Sequence, residues 1–345
     1  MRRTSIAWAA AALVAVAWMA PALADTPPWP PPGRMIDVGG WRLHLDAAGH
    51  RRPGDPCVVL ESGLGDFSVE WSLVQPRVAR FARVCSYDRG GDGWSELGPH
   101  PRTMHQIVYE LHTLLARAGE APPYVLVGHS YGAWLVRMYA SEYPREVAGM
   151  VLVDGGADDP LRMLPDGRLV HTSEMAIGDT IPPVKTSGPL RESDIPPAAM
   201  AQIRSGLADA SAHANDPPRD RLPAAAKQMR AWTLGQVRHV AAAVNPAENA
   251  ELAELRQEHR AKIHLLGDMP LVVLMRGRQD GSDSTAKVAE DEHRKDEAAL
   301  VDLSTRGRLV IVPNSGHHIH LERPDAVVAA IREVFAAADS TARQR

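Results

Sequence analysis

Short, mostly apolar runs recur along the chain, and most of them are followed by glycine or a charged residue. Runs of this length with no polar alternation are typical of parallel strands that are covered on both faces of a sheet. The runs occupy residues 57–61, 82–87, 124–127, 147–153, 270–275 and 309–312.

Helical periodicity separates many of these runs. Residues 103–118 carry apolar side chains at helical spacing and stop at Gly119. Further helices are predicted over 133–140, over 284–303 and from the last strand to about residue 338. Near the start, 35–38 and 41–45 read as an antiparallel hairpin across Gly39 and Gly40. The alternation predicts an α/β fold with a mostly parallel, doubly wound sheet.

Residues 157–268 break this alternation. No strand is predicted there, and helices are expected over 196–212, 222–244 and 246–265, the last with Asn245 as cap and Pro246 at its first position. An insertion between two sheet strands favours a helical lid on a core formed by 34–156 and 269–339. The methionine and tryptophan side chains of this segment are more often packing residues than a substrate cage.

The first 24 residues have a separate character. Arg2 and Arg3 precede an apolar, alanine-rich stretch, and Ala22-Leu23-Ala24 forms a small-residue cleavage site. This pattern predicts a secretory signal peptide cleaved after Ala24, and the stretch is shorter than the roughly 20 residues of a membrane span. The chain would then be exported, periplasmic or secreted, with no stable membrane anchor. Residues 25–33 are proline-rich and predict an extended linker.

Composition narrows the choice of partners. The 345 residues are 45% hydrophobic and 23% charged, with a formal net charge of −4. That is ordinary for a globular protein, and the charge gives no reason to expect a nucleic acid or an anionic membrane as partner. Cys57 and Cys85 are the two cysteines. They are expected to be buried thiols, with a bridge between adjacent strands as the alternative.

The most specific motif is Gly128-His129-Ser130-Tyr131-Gly132, which stands between a predicted strand and a predicted helix. In that context G-x-S-x-G predicts a nucleophile elbow, a tight turn that raises the serine hydroxyl above the sheet. A side chain does not fit two residues before or two residues after Ser130, which accounts for Gly128 and Gly132. The Tyr131 amide would lie at a helix N-terminus, where the dipole favours developing negative charge.

Two other loops follow strands at the same edge. Residues 62–66 are glycine-rich, and such a loop can aim a backbone amide at a carbonyl oxygen that becomes anionic. The predicted oxyanion donors are Leu64 and Tyr131, although a plain strand–helix turn is the alternative at Leu64. Asp88 and Arg89 are expected to organise the polar loop 88–95 rather than take part in chemistry.

These motifs together resemble the α/β-hydrolase family from residue 58 to about residue 335. The matching pieces are S-G-L-G-D, Y-D-R-G-G-D-G-W-S, G-H-S-Y-G, G-R-Q-D and S-G-H-H-I-H-L-E-R-P. In that family nucleophile, acid and histidine follow in this order, so the resemblance implies Ser130, Asp280 and His317. Ser62-Gly63 departs from the His-Gly that many members carry, which weakens the oxyanion assignment.

The acid has two competitors at the same sheet edge, Asp283 and Asp154. Asp280 is preferred because strand 271–275 ends just before it and Gly277 lets the chain turn back. Asp283 lies further along the loop, and Asp154 is expected to shape the start of the insertion. A metal site from His317, His320 and Glu322 is a weak rival, since the spacing matches no strong pattern.

The chemistry follows from the residue types. A neutral imidazole activates serine, and a carboxylate fixes its tautomer, so no metal or cofactor is needed. The leading hypothesis is an exported serine hydrolase that cleaves carboxylic esters, with a small-molecule acyl compound as substrate. A peptidase, a lactonase, an acyltransferase and a cofactor-free lyase are rivals on the same fold. An inactive binding relative is the alternative of another class, and the oligomeric state is not predicted.

Overall fold

Ten strands form the sheets of this computed structural model, which describes residues 27–164, 166–177, 180–188, 207, 210–279 and 284–342. Eight strands make one sheet in the order β1-β2-β4-β3-β5-β6-β9-β10, and β7 and β8 make a separate hairpin. The strands are β1 Arg34–Asp37, β2 Arg42–Ala48, β3 Cys57–Glu61, β4 Arg83–Tyr87, β5 Tyr124–His129, β6 Val147–Val153, β7 Leu161–Met163, β8 Leu169–His171, β9 Leu271–Arg276 and β10 Gly307–Val312.

The pairing confirms the predicted fold class. β1 and β2 pair antiparallel, and β2 runs antiparallel to β4. In the spatial order β4-β3-β5-β6-β9-β10, every pair of neighbouring strands is parallel. The carboxyl ends of β3, β5, β6, β9 and β10 therefore meet at one edge, where ligands of open parallel sheets bind.

Helices cover both faces of the sheet. One apolar cluster packs α2, α3 and part of α6 against one face, and a second packs α1 and α9 against the other. The α-helices are α1 Gln75–Val78, α2 Met104–Ala118, α3 Tyr131–Glu142, α4 Ala224–Leu234, α5 Val237–Ala242, α6 Glu248–Ala261, α7 Ser284–Ala299, α8 Ile319–Glu322 and α9 Pro324–Ala342. Short 3₁₀ helices span Ser68–Leu73, Thr172–Glu174, Arg219–Arg221 and Leu300–Leu303.

The inserted segment 157–268 differs from its prediction in two places. It contains the hairpin β7–β8, which turns at Gly167 with φ of +83°, so the expectation of no strand was wrong. The helix predicted over 222–244 is two helices, because the chain leaves helical geometry at Gln236, which is extended. No described residue of the segment joins the main sheet. Most of the helix predicted over 196–212 lies outside the described residues.

The predicted signal peptide, residues 1–24, also lies outside the described residues. Residues 27–33 of the predicted linker contain no helix and no strand. Trp29 nevertheless anchors this linker, because its carbonyl oxygen accepts a hydrogen bond from Trp94 Nε1 at 2.9 Å. Among the helices described here, none has the length and apolar character required to cross a bilayer.

Candidate active site

Ser130 occupies a tight turn between β5 and α3. Its backbone adopts φ 53° and ψ −120°, a region that is costly for a side chain other than glycine. A Cβ at Gly128 would lie 2.4 Å from the Gly132 carbonyl oxygen, and a Cβ at Gly132 would lie 2.6 Å from that of Glu61. The close approach explains both glycines of the motif and leaves the serine side chain partly exposed at the sheet edge.

His317 bridges Ser130 to a carboxylate. Its Nε2 lies 2.9 Å from Ser130 Oγ, and its Nδ1 lies 2.7 Å from Asp154 Oδ2. Because a carboxylate can only accept, Nδ1 carries the proton and Nε2 is free to accept from the serine hydroxyl. The three side chains thus form a continuous chain of hydrogen bonds, which is the arrangement that activates a serine.

Asp154 follows β6 directly and is fully buried at its carboxylate. The Arg276 backbone amide donates to Oδ1 at 2.7 Å, and the Arg276 guanidinium donates to Oδ2 at 3.0 Å. His293 Nε2 lies 3.1 Å from Oδ1. Burial alone would raise the pKa of Asp154, but the hydrogen bonds from His293 and His317 outweigh it and hold that pKa well below the ordinary value. Asp154 is therefore ionised at neutral pH.

This contact corrects the prediction that Asp280 orients His317. The structure gives the Nδ1 position to Asp154, and Asp280 and Asp283 lie outside the described residues. The reason is topological, since β6 lies next to the elbow strand: Ser130 N donates to the Val153 carbonyl oxygen at 3.1 Å. The sequence did place Asp154 directly after an apolar strand, ahead of Gly155-Gly156. That glycine pair marks a close approach, because a Cβ at Gly155 would lie 2.5 Å from Ser130 Cα.

The two residues predicted as oxyanion donors lie together. Tyr131 is the first residue of α3, so its amide belongs to a helix N-terminus. Leu64 is on the loop after β3, with its side chain 52% exposed. Both line a cavity of about 10 Å³, and Gly65 and Ala242 line it too. A space that small holds at most one water molecule.

Arg89 sets the backbone of that loop. Its guanidinium donates to the carbonyl oxygens of Ser62 and Asp66 at 2.7 and 2.9 Å, and to that of Gly63. Glu61 balances its charge at 2.7 Å. Asp88 accepts from the amides of Ser68 and Trp94 at 3.0 and 2.9 Å.

The contact of Asp88 with the Trp94 amide agrees with the prediction that Asp88 organises loop 88–95, whereas the hydrogen bonds of Arg89 hold the loop after β3 instead. Because Arg89 binds the carbonyl groups of Ser62, Gly63 and Asp66, it also fixes the backbone of the loop after β3, which lies beside the elbow.

The inserted segment reaches this loop through two arginines. Arg230 Nη1 lies 2.8 Å from Asp66 Oδ1 and 2.5 Å from Glu70 Oε1, and Arg219 Nη2 lies 3.0 Å from Asp66 Oδ1. Burial would raise the pKa of Asp66, but the two guanidinium groups hold it well below the ordinary value. We call these four side chains the arginine clamp. It joins the insertion to the loop that carries Leu64.

Three further histidines crowd His317. His129 Nε2 lies 3.1 Å from the His317 carbonyl oxygen, and the ring centroids of His129 and His320 are 4.3 Å apart. Burial, and then the neighbouring histidines His320 and His317, hold the pKa of His129 well below the ordinary value. Burial and the charge of Arg219 lower the pKa of His318 to about 3. His129 and His318 are therefore neutral.

The residues of the rival metal site have other hydrogen-bond partners. Both ring nitrogens of His317 are already engaged, and both oxygens of Glu322 are held by Arg278 at 2.8 and 3.0 Å.

Elsewhere, Cys57 and Cys85 are free, buried thiols with their sulfur atoms 3.6 Å apart. That is the expected pair of thiols rather than the alternative bridge. Glu120 is the third possible ligand near them.

Comparisons with known proteins identify the family of the chain. The model of the alpha/beta hydrolase family matches residues 58–330, more than half of the chain. An AB hydrolase superfamily protein of Gibberella zeae is 24% identical over 319 residues, which cover 85% of this chain and 91% of that protein. A shorter match, 34% identical over 136 residues, covers 38% of this chain and only 20% of the "Probable transporter efuK" of Hormonema carpetanum.

Solved structures support the same fold. An esterase from Thermogutta terrifontis superposes with a TM-score of 0.57 at 18% identity, covering 89% of this chain and 98% of that one. The enol-lactonase of Burkholderia xenovorans superposes with a TM-score of 0.59 at 18% identity, covering 88% of this chain and all of that one, 100%. The family predicted from the motifs is therefore confirmed, and this chain belongs to the alpha/beta hydrolase family.

Proposed function

We propose that the protein is a serine hydrolase that cleaves carboxylic esters through an acyl-enzyme. The observation that carries the proposal is the continuous hydrogen-bonded chain Ser130 Oγ, His317, Asp154, with distances of 2.9 and 2.7 Å. A serine, a neutral imidazole and a buried carboxylate in this order are the components of nucleophilic acyl transfer. Asp154 takes the role that the sequence assigned to Asp280.

In the first half of the reaction Ser130 Oγ attacks the ester carbonyl carbon, and its proton passes to His317 Nε2. The carbonyl oxygen becomes anionic, and the proposed donors to it are the Tyr131 and Leu64 amides. Asp154 keeps the Nδ1 proton in place and stabilises the imidazolium that forms. As the tetrahedral species collapses, the bond to the alcohol oxygen breaks and His317 gives that oxygen its proton.

In the second half a water molecule attacks the acyl-enzyme. His317 Nε2 takes a proton from the water, and the new tetrahedral species expels Ser130 Oγ, which recovers that proton. The products are the alcohol and the carboxylic acid, and the enzyme returns to its initial state. A peptidase, a lactonase or an acyltransferase would use the same steps with another leaving group or acceptor. Esters are proposed because their alcohol leaves more readily than the amine of an amide.

The test combines a substrate panel with a covalent probe. Hydrolysis of p-nitrophenyl esters of rising chain length is measured beside amide and lactone counterparts, and labelling by a fluorophosphonate is followed by mass spectrometry. We expect ester turnover and one label on Ser130, and Ser130→Ala should lose both while its thermal melt stays close to that of the wild type. A variant that still labels or still turns over would remove Ser130 from the mechanism.

We also propose export, on the basis of the Arg2-Arg3 start, the short apolar stretch and Ala22-Leu23-Ala24. N-terminal sequencing of protein from its native host should then begin at or near Asp25. Intact Met1 or Arg2 recovered from a cytoplasmic fraction would contradict it.

A further inference from the structure

The carboxylate of Asp154 is shared by two histidines. His317 lies on Oδ2, and His293 approaches the other oxygen, Oδ1, with Nε2 at 3.1 Å. His293 belongs to α7, and its side chain is only 17% exposed. The acyl-transfer steps give this second histidine no role, although it lies on the same carboxylate as His317.

The other donors do not make His293 redundant. The Arg276 guanidinium bonds Asp154 through Nη1, but its Nε and Nη2 are held by Glu290 at 3.0 and 2.9 Å. The guanidinium contact with Asp154 is made to Oδ2 and not to Oδ1. Apart from His293, the described partner of Oδ1 is the Arg276 backbone amide. A carboxylate can rotate about its Cβ–Cγ bond, so a side-chain donor on Oδ1 fixes the direction in which Oδ2 points.

Several charged groups lie close to His293. Asp154 and Arg276 face it from the ends of β6 and β9, and Asp296 and Glu297 lie near it on α7. Burial, and then the Asp154 charge, raise the pKa of Glu297 well above the ordinary value. Burial likewise raises the pKa of Asp296 to about 6.

We propose that His293 is a positioning residue of the active site, whose Nε2–H holds Asp154 Oδ1 so that Oδ2 stays directed at His317 Nδ1. The inference rests on the proposed function, because it gives His293 a part in acyl transfer. It extends the hydrogen-bonded chain by one member, to Ser130, His317, Asp154 and His293. His293 touches no reacting atom and acts through Asp154.

The experiment compares two amides of different length. In His293→Gln the side-chain amide nitrogen lies near the position of the histidine Nε2. In His293→Asn that nitrogen lies near the position of Nδ1, and the side chain is too short to reach Asp154. We expect His293→Asn to lose about tenfold in kcat, the fold-change of one hydrogen bond to a charged group, with KM unchanged. His293→Gln should recover most of that loss. His50→Leu, at an exposed histidine, is the control that should match the wild type.

The pH profile separates positioning from plain stability. Without the donor on Oδ1, Asp154 Oδ2 is less well directed at His317 and stabilises the imidazolium less, so the acid limb of kcat/KM moves to lower pH in His293→Asn. A lower melting temperature with unchanged kcat and an unchanged acid limb would overturn the proposal. So would equal losses in the Asn and Gln variants. If His293→Asn does not fold, the same measurements are made on His293→Leu. In addition, NMR compares the downfield resonance of the His317 Nδ1 proton in His293→Gln with that in the wild type. A resonance lost in His293→Gln overturns the proposal, and one retained supports it.

Failure of this inference can be told from failure of the proposed function. If Ser130→Ala neither labels nor turns over p-nitrophenyl butyrate, and His293→Asn behaves as the wild type, only the role of His293 is wrong. If Ser130→Ala keeps its activity, the acyl-enzyme itself is wrong, whatever the His293 variants show.

Discussion

The sheet and the inserted segment are held in place by different forces. Strand residues such as Val58, Leu126 and Val151 are fully buried, because helices cover both faces of the sheet. The insertion also contributes apolar side chains, Leu252 and Leu255 among them. Its contacts with the loops around the site combine apolar packing, such as Met229 in one cluster with Phe67, with buried ion pairs, and the arginine clamp is the most buried of these pairs.

This difference has a consequence for each region. Apolar burial is non-directional, so the sheet tolerates exchange among residues of similar volume. Buried ion pairs depend on both partners, since removing one leaves an uncompensated charge. The sheet should therefore carry the chemistry and most of the stability, and the insertion should be sensitive at a few charged residues.

The largest expected effect is on catalysis in the sheet. Asp154→Asn removes tautomer control over His317, which in a serine triad has cost on the order of 10⁴ in kcat. Asp280→Asn should lose far less, although the sequence favoured Asp280 as the acid. Steady-state kinetics on one p-nitrophenyl ester compares the two. If Asp280→Asn is the crippled variant and Asp154→Asn keeps more than about a tenth of the activity, our assignment of the acid is wrong.

The next effect breaks the clamp from the insertion side. Arg230→Met leaves Asp66 and Glu70 with one guanidinium, and loss of one partner of a buried pair costs about 3–5 kcal/mol of folding free energy. Arg168→Met is the matched control, because Arg168 lies in the same segment with its side chain 69% exposed in an ion pair with Asp166. Its effect should stay below about 1 kcal/mol. Urea unfolding measures both, and similar losses in the two variants would contradict a structural role for the clamp.

A smaller effect compares glycines in the two regions. Gly132→Ala in the elbow places a methyl group 2.6 Å from two carbonyl oxygens, and overpacking of this kind costs about 1–3 kcal/mol. Gly235→Ala in the insertion finds its nearest atom at 3.4 Å, an ordinary contact, so a change within about 0.5 kcal/mol is expected. Thermal melts of both variants decide this. If Gly132→Ala lowers the melting temperature no more than Gly235→Ala does, the turn at the elbow has more free space than described.

The effect that is smallest near neutral pH comes from the protonation of His318. The folded protein holds the pKa of His318 at about 3, below its ordinary value of 6.5, so the unfolded chain binds a proton first as the pH falls. The contribution is complete above pH 6.5 and is lost progressively towards pH 3, with a slope of at most about 1.4 kcal/mol per pH unit for one proton. His129 acts in the same direction, and Asp296, with its pKa raised to about 6, opposes both.

His318→Gln should flatten this acid dependence of the unfolding free energy, measured by urea unfolding at several pH values. His50→Gln is the exposed control. An equally steep dependence in His318→Gln would mean that the histidine is protonated in the folded state.

The sequence predicted the sheet better than the insertion for a physical reason. A strand covered on both faces must be apolar throughout, and an elbow needs glycines at fixed places, so β3, β5 and β6 and the position of Ser130 could be predicted from local patterns. The Asp154 contact with His317 joins residues 163 positions apart. It depends on which strand lies beside β5, and local patterns do not contain that information. The hairpin β7–β8, with three residues in each strand, is too short to give a periodic pattern.

The arginine clamp also bears on how the protein unfolds. Asp66 and Glu70 are 4% and 1% exposed, and both lie on the loop and the 3₁₀ helix that follow β3, a central strand. If the insertion melted first, Asp66 and Glu70 would lose their guanidinium partners, which costs more than opening a surface contact. We therefore expect the insertion and the sheet to unfold as one cooperative unit. Amide hydrogen exchange should show α4 opening together with the β3 loop and not ahead of it.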